Sequence, residues 1–315
     1  MKELVIVSGK GGTGKTSISA ALAFLAPQKV LADCDVDAAN FHLISSAVIR
    51  EIHPFTAGFE PHVDAQNCTH CGKCTGLCRF GAITAGIITT PLHCEGCGVC
   101  AFNCPEHAIA MHDKKAGQWF VSDTRLGRLI HAEPGMSVEN SGKLVSKVRQ
   151  EAKKIAIAHH LPLIITDGPP GIGCPAIAAL SGASLVLAVV EPTLASMHDL
   201  QRLWELIRHF QLPMAVCINK STLNSLNTHT LIAWCSKKKV PVVGNIPYSD
   251  VFNTALQAEK TVMDTNNSEV QEKILELWYN LSKLLDINPI DSIISRIFRK
   301  INSFGIKKGS EENTL

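Results

Sequence analysis

A glycine-rich segment near the start of the chain has the residue types and spacing of a phosphate-binding loop. It fits the pattern G-x-x-x-x-G-K-[ST] without a mismatch, and it stands between a predicted strand and a predicted helix, as this pattern requires. Glycines let successive backbone N–H groups face phosphate oxygens, and the start of a helix adds partial positive charge. Lys15 is expected to reach the β- and γ-phosphates, and the Thr16 hydroxyl to bind Mg²⁺. The predicted nucleotide-binding residues of this loop are Gly9, Gly11, Gly12, Thr13, Gly14, Lys15, Thr16 and Ser17.

A repeated cysteine pattern is the second chemical signal. Eight of the 12 cysteines fall between residues 68 and 104, and C-x₂-C-x₂-C-x₃-C occurs twice at an offset of 26 residues. This is the bacterial ferredoxin spacing, in which the fourth cysteine of each run binds the other run's 4Fe–4S cluster. Paired C-x₂-C units also bind zinc, but zinc does not require this twice-repeated run. The predicted ligands are Cys68, Cys71, Cys74 and Cys104 for one cluster, and Cys94, Cys97, Cys100 and Cys78 for the other.

Alternating strands and helices must position these residues. Short apolar runs predict buried strands, and helical patterns separate them, which indicates a parallel sheet covered on both faces. The predicted strands are Leu4–Val7, Lys29–Ala32, Leu163–Thr166, Ser184–Val190, Met214–Ile218 and Val240–Val243. The predicted helices are Thr16–Leu25, Lys143–Ala158, Leu194–Phe210 and Asn227–Cys235.

The cysteine segment interrupts this alternation, so we expect it to be an insertion. The predicted domains are residues 1–57 with 115–285, an inserted small α+β two-cluster domain at 58–114, and a tail at 286–315. Four cysteines lie outside the insert and have apolar or small neighbours, so we expect each to be a small hydrophobic residue of the core: Cys34, Cys174, Cys217 and Cys235.

Composition excludes several classes of protein. The net charge of +2 excludes a strongly basic nucleic-acid binder. The longest near-uniform apolar run, Leu185–Val190, is far shorter than the roughly 20 residues of a membrane-spanning helix. The first residues lack the features of a signal peptide. We therefore expect a cytoplasmic protein with reduced thiols, which favours metal ligation over disulfides.

A second lysine in the loop, Lys10, carries a family resemblance. The string KGGTGKTS resembles the deviant Walker A motif of the MinD/Mrp/ParA group of P-loop ATPases. The resemblance implies an α/β parallel-sheet P-loop NTPase fold that binds ATP and Mg²⁺ and closes a nucleotide-sandwiched dimer. It also implies that Lys10 reaches across that dimer to the partner's phosphates.

Other segments are similar to further elements of the same family. Asp35, in DCDVDAAN, matches a switch I carboxylate that orients water or holds Mg²⁺ through water, and Asp167, in DGPPG, matches the Walker B residue of the Mg²⁺ shell. Asn219, followed by Lys220, and Pro247 match elements that contact adenine. Asp33 and Asp37 remain open between a functional role and strand-end or turn chemistry. Cys174 has the spacing from Asp167 of a cluster ligand in the nitrogenase iron protein. That protein needs a second cysteine on the same subunit, and none lies between Lys115 and Lys143, so we do not assign Cys174 as a ligand.

The tail has the pattern of a basic amphipathic helix. Between residues 292 and 308 there are five basic and no acidic residues. Such a helix can lie in a membrane interface, and MinD itself ends in one; the alternative is packing on the ATPase domain or a partner. Its apolar residues recur at helical spacing: Ile290, Ile293, Ile294, Ile297, Phe298, Ile301 and Phe304.

These features together predict an iron–sulfur ATPase. ATP binding would close a homodimer, or a heterodimer with a related ATPase, and hydrolysis would reopen it. The cycle would be coupled to electron transfer to, or metallocentre assembly in, a redox or metalloprotein client. The alternative is a spatial organiser, similar to MinD, that cycles on and off the membrane.

Overall fold

Eleven strands and ten helices are defined within residues 1–84, 87–88, 93–135 and 141–288, which the computed structural model describes. The strands are β1 Lys2–Ser8, β2 Lys29–Asp33, β3 Val48–Val63, β4 Ile83–Thr84, β5 Ile87–Ile88, β6 Ile109–Thr124, β7 Gly127–Pro134, β8 Leu163–Pro170, β9 Leu185–Val190, β10 Met214–Ile218 and β11 Val242–Asn245. The helices are α1 Lys15–Leu25, α2 Phe41–Ile44, α3 Lys73–Leu77, α4 Val99–Phe102, α5 Ser141–Ala158, α6 Cys174–Leu180, α7 Leu194–His209, α8 Ser225–Lys238, α9 Val251–Gln257 and α10 Ser268–Leu285.

Nine of the strands form one sheet in the order β11-β10-β9-β1-β8-β2-β7-β6-β3. The seven strands from β11 to β7 run parallel to their neighbours. Their carboxyl ends therefore share one edge of the sheet, where an α/β protein places its ligand site.

Side chains of successive residues in β1 explain the two apolar layers. Val5 and Val7 pack with α5, α6, α7 and α8, whereas Leu4 and Ile6 pack with α1, α2 and α10. A strand sends alternate side chains to opposite faces, so an unbroken apolar run suits a sheet that helices cover on both sides. The predicted parallel α/β architecture is confirmed.

The other sheet edge is antiparallel, which the sequence analysis did not predict. β6 pairs antiparallel with β7 and also with β3. β3 and β6 are each 16 residues long, and their outer halves extend past β7 as a two-stranded ribbon. The ribbon carries the cysteine segment, residues 64–108, at its end. Since Gly117 in β6 pairs with Pro134 at the end of β7, the ribbon projects from the same edge as the carboxyl ends of the parallel strands.

Several predicted element boundaries differ from those of the structure. Met214–Ile218 is a strand with the predicted bounds, but the predicted strand Val240–Val243 begins two residues later, at Val242. The predicted helix Asn227–Cys235 extends to Ser225–Lys238, with the Asn224 side chain accepting a hydrogen bond from the Asn227 N–H at its start. The apolar tail residues from Ile290 onwards lie outside the described residues.

Candidate functional site

The glycine-rich loop joins the end of β1 to the start of α1. Gly12 and Gly14 have φ values of 79° and 87°, a left-handed conformation that glycine adopts without the cost that a side chain brings. A Cβ on Gly14 would also lie 2.4 Å from Asn219 Nδ2. Both observations explain why the sequence needs glycine where the chain turns into α1.

Lys15 and Asp167 form the charged centre of the site. The Lys15 Nζ lies 3.1 Å from Asp167 Oδ1 and 3.3 Å from Asp35 Oδ2. The hydroxyl of Thr16 donates to Asp167 Oδ2 at 2.8 Å, and that of Ser19 donates to Asp167 Oδ1 at 2.7 Å. The structure thus brings together the loop lysine, the loop hydroxyl and the two carboxylates that the sequence singles out, and these oxygens are ligand types that suit Mg²⁺.

Burial and neighbouring charges together shift the pKa values of the groups in this centre. Burial alone would lower the pKa of Lys15, but the charges of Asp167, Asp35 and Asp33 outweigh it and raise that pKa. Burial raises the pKa of Asp35, with Lys15 opposing the rise. Burial likewise raises the pKa of Asp33, and the charge of Asp167 adds to the rise. Lys15 therefore stays charged beside Asp167.

Asp33 has a structural role in this arrangement. Its side chain is fully buried and accepts hydrogen bonds from the backbone N–H groups of Asp35 and Phe41. It therefore fixes the turn that carries Asp35 and the start of α2. The exposed Asp37 makes no comparable contact among the described residues.

A cleft of about 550 Å³ opens beside the loop. Gly11 to Ser17, Asp35, Asn219, Tyr248 and Phe252 contribute to its lining. Three of the predicted nucleotide-site residues do not line the cleft: Gly9, Lys10 and Pro247. The next residue, Tyr248, does line it.

Two buried polar atoms beside the cleft suit a nucleotide. Asn219 Nδ2 donates to the Thr13 carbonyl at 2.8 Å, while Asn219 Oδ1 and Thr13 Oγ1 have no hydrogen-bonding partner among the described residues. A buried polar atom is costly to leave unpaired. The free acceptor on Asn219 fits an amino group such as that of adenine, and the loop fits phosphates.

Lys10 does not line the cleft and contacts Glu191 instead, a residue that the sequence did not single out. Its Nζ forms an ion pair with Glu191 Oε1, and Lys220 Nζ lies 3.2 Å from Glu191 Oε2. Lys220 Nζ also donates to the Gly12 carbonyl at 2.8 Å. Glu191 directly follows the apolar strand β9, just as Asp167 follows the apolar residues at the start of β8, so this position was a usable signal. Ser19, one helical turn after Lys15, was the other residue missed.

The eight clustered cysteines divide between two cavities. Cys68, Cys71, Cys74 and Cys104 line one, and Cys78, Cys94, Cys97 and Cys100 line the other. Each set joins three cysteines of one run with the last of the other run, as the ferredoxin spacing predicts. All eight are free thiols, and no three His, Cys, Asp or Glu side chains among the described residues are close enough to hold a single metal ion.

The internal repeat of the sequence is also a repeat of backbone conformation. α3 and α4 begin after equivalent glycines, and the N–H of each fourth cysteine bonds the carbonyl three residues earlier. Left-handed residues recur at the same 26-residue offset, as His70 and Gly96, Gly72 and Gly98, and Gly81 and His107. The two runs are therefore copies of one unit that places its cysteines in the same way.

Comparison with known proteins identifies the family. The profile of the CobQ/CobB/MinD/ParA nucleotide binding domain matches residues 4–262. The chain belongs to this family. The match covers the loop, Asp35, Asp167, Asn219 and the strands that position them.

One curated relative spans nearly the whole chain, and two others match parts of it. Uncharacterized protein MJ0578 of Methanocaldococcus jannaschii is 33% identical over 295 residues, which covers 90% of this chain and 97% of the relative. Uncharacterized protein MJ0579 of the same organism is 26% identical over 238 residues, 72% of this chain and 84% of the relative. The pyruvate synthase subunit PorD of Methanothermobacter marburgensis is 37% identical over 57 residues, 18% of this chain and 70% of the relative.

Solved structures of the family share the fold. The cell division ATPase MinD of Pyrococcus furiosus matches with a TM-score of 0.54 at 17% identity, over 90% of this chain and 99% of its own. The septum site-determining protein MinD of Pyrococcus horikoshii, complexed with Mg-ADP, matches with a TM-score of 0.56 at 16% identity, over 90% and 96%. The family member described here therefore has a MinD-like fold.

Proposed function

We propose that this protein is an ATPase with two 4Fe–4S clusters, in which a nucleotide-driven dimer cycle serves electron transfer to a client or assembly of the client's metallocentre. One observation carries the proposal: a single chain holds a complete P-loop constellation and two cavities with four cysteines each. The nucleotide cycle supplies directed conformational change, and the clusters supply electrons or iron–sulfur units.

The residues of the cleft can perform ATP hydrolysis. Mg²⁺, when bound, neutralises charge that develops on the phosphates. Thr16 and Asp167 are placed to hold it, directly or through water, and Lys15 binds the transferred phosphate. Asp35, beside Lys15, orients the attacking water. Asn219 accepts a hydrogen bond from the base, which selects adenine by its amino group.

The cysteine cavities support clusters over zinc. One zinc ion needs four thiolate sulfurs about 2.3 Å from the metal, and these sulfurs then lie about 4 Å from one another. The cysteines surround two cavities in interlocked sets, the arrangement of bacterial ferredoxins. The local similarity to a pyruvate synthase subunit agrees with a redox role for part of the chain.

The chain path offers a route for coupling. The turn that holds Asp35 leads into α2, and α2 leads within four residues into β3, the first strand of the ribbon. Arg125, between β6 and β7, donates to the Ile44 carbonyl of α2 at 3.0 Å. A movement of Asp35 on hydrolysis therefore acts on the base of the ribbon that carries the cysteines.

Anaerobic purification tests the proposal. The protein should carry about eight irons per chain, as two cubes of four, and should hydrolyse ATP only with Mg²⁺. ATP should shift the reduction potential of the clusters relative to the nucleotide-free protein. A preparation that holds only zinc after anaerobic reconstitution with iron and sulfide would contradict the cluster assignment. Potentials that do not respond to any nucleotide would contradict the coupling.

A further inference from the structure

Glu191 occupies a fixed position beside the phosphate-binding loop. It directly follows β9, the strand that pairs with β1 on one side and β10 on the other. Its backbone N–H donates to Ser196 Oγ and its carbonyl accepts from the Thr193 N–H. The residue is 8% exposed. A carboxylate held this way can serve as an anchor for mobile cations.

The two cations on Glu191 have different attachments. Lys220 binds Glu191 and also the Gly12 carbonyl, so it ties the carboxylate to the loop. Lys10 binds only Glu191 among the charged groups described. Burial alone would raise the pKa of Glu191, but the hydrogen bonds and charges of Lys10 and Lys220 outweigh it and lower that pKa. Glu191 is therefore ionised and holds both lysines.

While the Lys10 ammonium is paired with Glu191, it is not free to pair with the phosphates of a second molecule. Its side chain is about one-third exposed, whereas that of Glu191 is largely buried. Lys10 can therefore leave toward solvent while Glu191 stays paired with Lys220. The exchange replaces one ion pair within the subunit by one ion pair between subunits, and no charge is left buried without a partner.

We infer that Glu191 is a positioning residue that retains Lys10 on its own subunit and so sets the threshold for nucleotide-dependent pairing of two copies of the chain. The inference rests on the proposed role of Lys10 in the dimer. It adds a competing partner within the subunit, one that the ATP phosphates of a second copy must displace.

Chemical labelling of the nucleotide-free monomer tests the retention directly. Lys10 of the wild type and of Glu191→Gln is acetylated by an amine-reactive ester at fixed pH, and the rate is read by mass spectrometry. The neutral, isosteric amide removes the ion pair, so the Lys10 rate should rise about fivefold. Lys220→Met is the matched control: it leaves the Lys10–Glu191 pair in place, and the Lys10 rate should stay equal or fall. Equal Lys10 rates in wild type and Glu191→Gln, with Lys10 reactive in both, would overturn the inference.

ATP-dependent dimerisation provides the second arm. Glu191→Gln should dimerise with ATP at about fivefold lower protein concentration than the wild type, measured by light scattering, and Lys220→Met should not. Thermal unfolding of each variant establishes that it is folded. If the wild type dimerises with ATP and Glu191→Gln needs an equal or higher protein concentration to do so, the threshold role is wrong but the dimer cycle stands. A wild type that stays monomeric with ATP, or a Lys10→Ala variant that dimerises as well as the wild type, overturns the proposed dimer cycle and the threshold role with it.

Discussion

Lys15 lies among more negative charge than one ammonium group can neutralise. Asp167 and Asp35 each have a carboxylate oxygen within 3.3 Å of its Nζ. Asp33 is a third carboxyl group nearby; burial raises its pKa to about 8, and it adds negative charge only when it is deprotonated. A divalent cation beside Thr16 and Asp167 would balance the remaining charge, and phosphates would then meet a positive site. The residue types therefore suit Mg²⁺ and nucleotide together better than either alone.

The two lysines of the loop should have separable effects. Lys15→Ala should weaken ATP binding by roughly 10- to 100-fold, because a charge-assisted hydrogen bond contributes about 1.5–3 kcal/mol. Lys10→Ala should retain ATP affinity, because Lys10 does not line the cleft, but lose ATP-induced dimerisation and hydrolysis. Equilibrium titration with a fluorescent ATP analogue and a phosphate-release assay measure both. Wild-type hydrolysis by Lys10→Ala would show that its proposed role across the dimer is wrong.

His131, in β7, should make stability depend on pH. It is buried and 2.9 Å from Ser122 Oγ, and burial, helped by His42, lowers its pKa to about 4. An unfolded histidine titrates near 6.5, so between about pH 6.5 and pH 4 the unfolded chain binds a proton that the folded chain does not. Stability should therefore fall as pH drops through this window, by up to about 1.4 kcal/mol per pH unit.

Two variants isolate that contribution. His131→Gln keeps a polar partner for Ser122 and removes the titration, so its thermal midpoint should fall less between pH 7 and pH 4.5 than that of the wild type. His159→Gln, at an exposed position at the end of α5, should retain the wild-type slope. Identical slopes for wild type and His131→Gln would count against the buried neutral imidazole.

At the scale of elements, the ribbon of β3 and β6 is the feature that local sequence patterns did not predict. β3 contains Pro54, Gly58 and Pro61, residues that argue against a long strand. Its register with β6 shifts at three places, so no steady alternation of apolar and polar residues marks it. The pairing that forms the ribbon joins residues 46 to 59 positions apart in the chain, from Val63 with Ile109 to Thr56 with Lys115. By contrast, β1 and β8 each contain a continuous apolar run, and the segments that follow these runs hold Lys15 and Asp167, so no pairing information is needed to find them.

Gly117 should be essential to the ribbon base. It has a φ of 147°, and a Cβ there would lie 2.4 Å from the Glu133 carbonyl oxygen. Gly117→Ala should lower the free energy of unfolding by about 3 kcal/mol through backbone strain. Gly58→Ala, at φ 79° in open space, should cost only about 1 kcal/mol. Urea denaturation of both variants measures the difference, and equal costs would mean that β6 does not pack against the end of β7 as described.

The two cysteine cavities should be separable from each other and from the nucleotide cleft. Cys94→Ser removes one ligand from one set of four, so iron should fall from about eight to about four per chain, with ATP affinity retained. The expected core position is wrong for Cys174, which is exposed at the start of α6, whereas Cys34, Cys217 and Cys235 are buried. Because Cys174 lines neither cavity, Cys174→Ser is the matched control. It should keep full iron content. Loss of iron in Cys174→Ser would make that residue a ligand and the assignment incomplete.

At the scale of the whole molecule, the nucleotide cleft and the cysteine segment share one edge of the sheet. The outer half of β6 spans roughly 25 Å at about 3.3 Å per residue, and it extends beyond the strand ends that carry the loop. Sequence patterns predicted each centre separately because each is local: a run of nine residues in one case, two runs of eleven in the other. Their arrangement on one edge follows from the antiparallel pairing of β6 with β7, which no local pattern contains. The Glu191 contact to Lys10 follows from the parallel pairing of β9 with β1, which no local pattern contains either.

The tail decides between the proposed function and the spatial organiser. Its basic amphipathic pattern lies beyond residue 288, outside the described residues, and within them no helix is both long and apolar enough to cross a membrane. Each basic residue near an anionic surface contributes about 1 kcal/mol, and one such helix binds only weakly, so attachment needs two copies from an ATP-bound dimer. An organiser should therefore sediment with phosphatidylglycerol vesicles in ATP and be released on hydrolysis.

We expect instead that sedimentation is negligible and equal for the full chain and for a chain truncated after Leu285, which keeps the whole of α10. Neutral phosphatidylcholine vesicles control for non-specific apolar adsorption, and Lys10→Ala controls for the dimer requirement. Binding to anionic vesicles that requires ATP, Lys10 and the tail would favour the organiser. Only attachment through the two tails of an ATP-bound dimer depends on all three. Negligible binding in every arm would leave the apolar side of the tail to pack on the nucleotide-binding domain or on a client, and would direct the search for function to the two cysteine cavities.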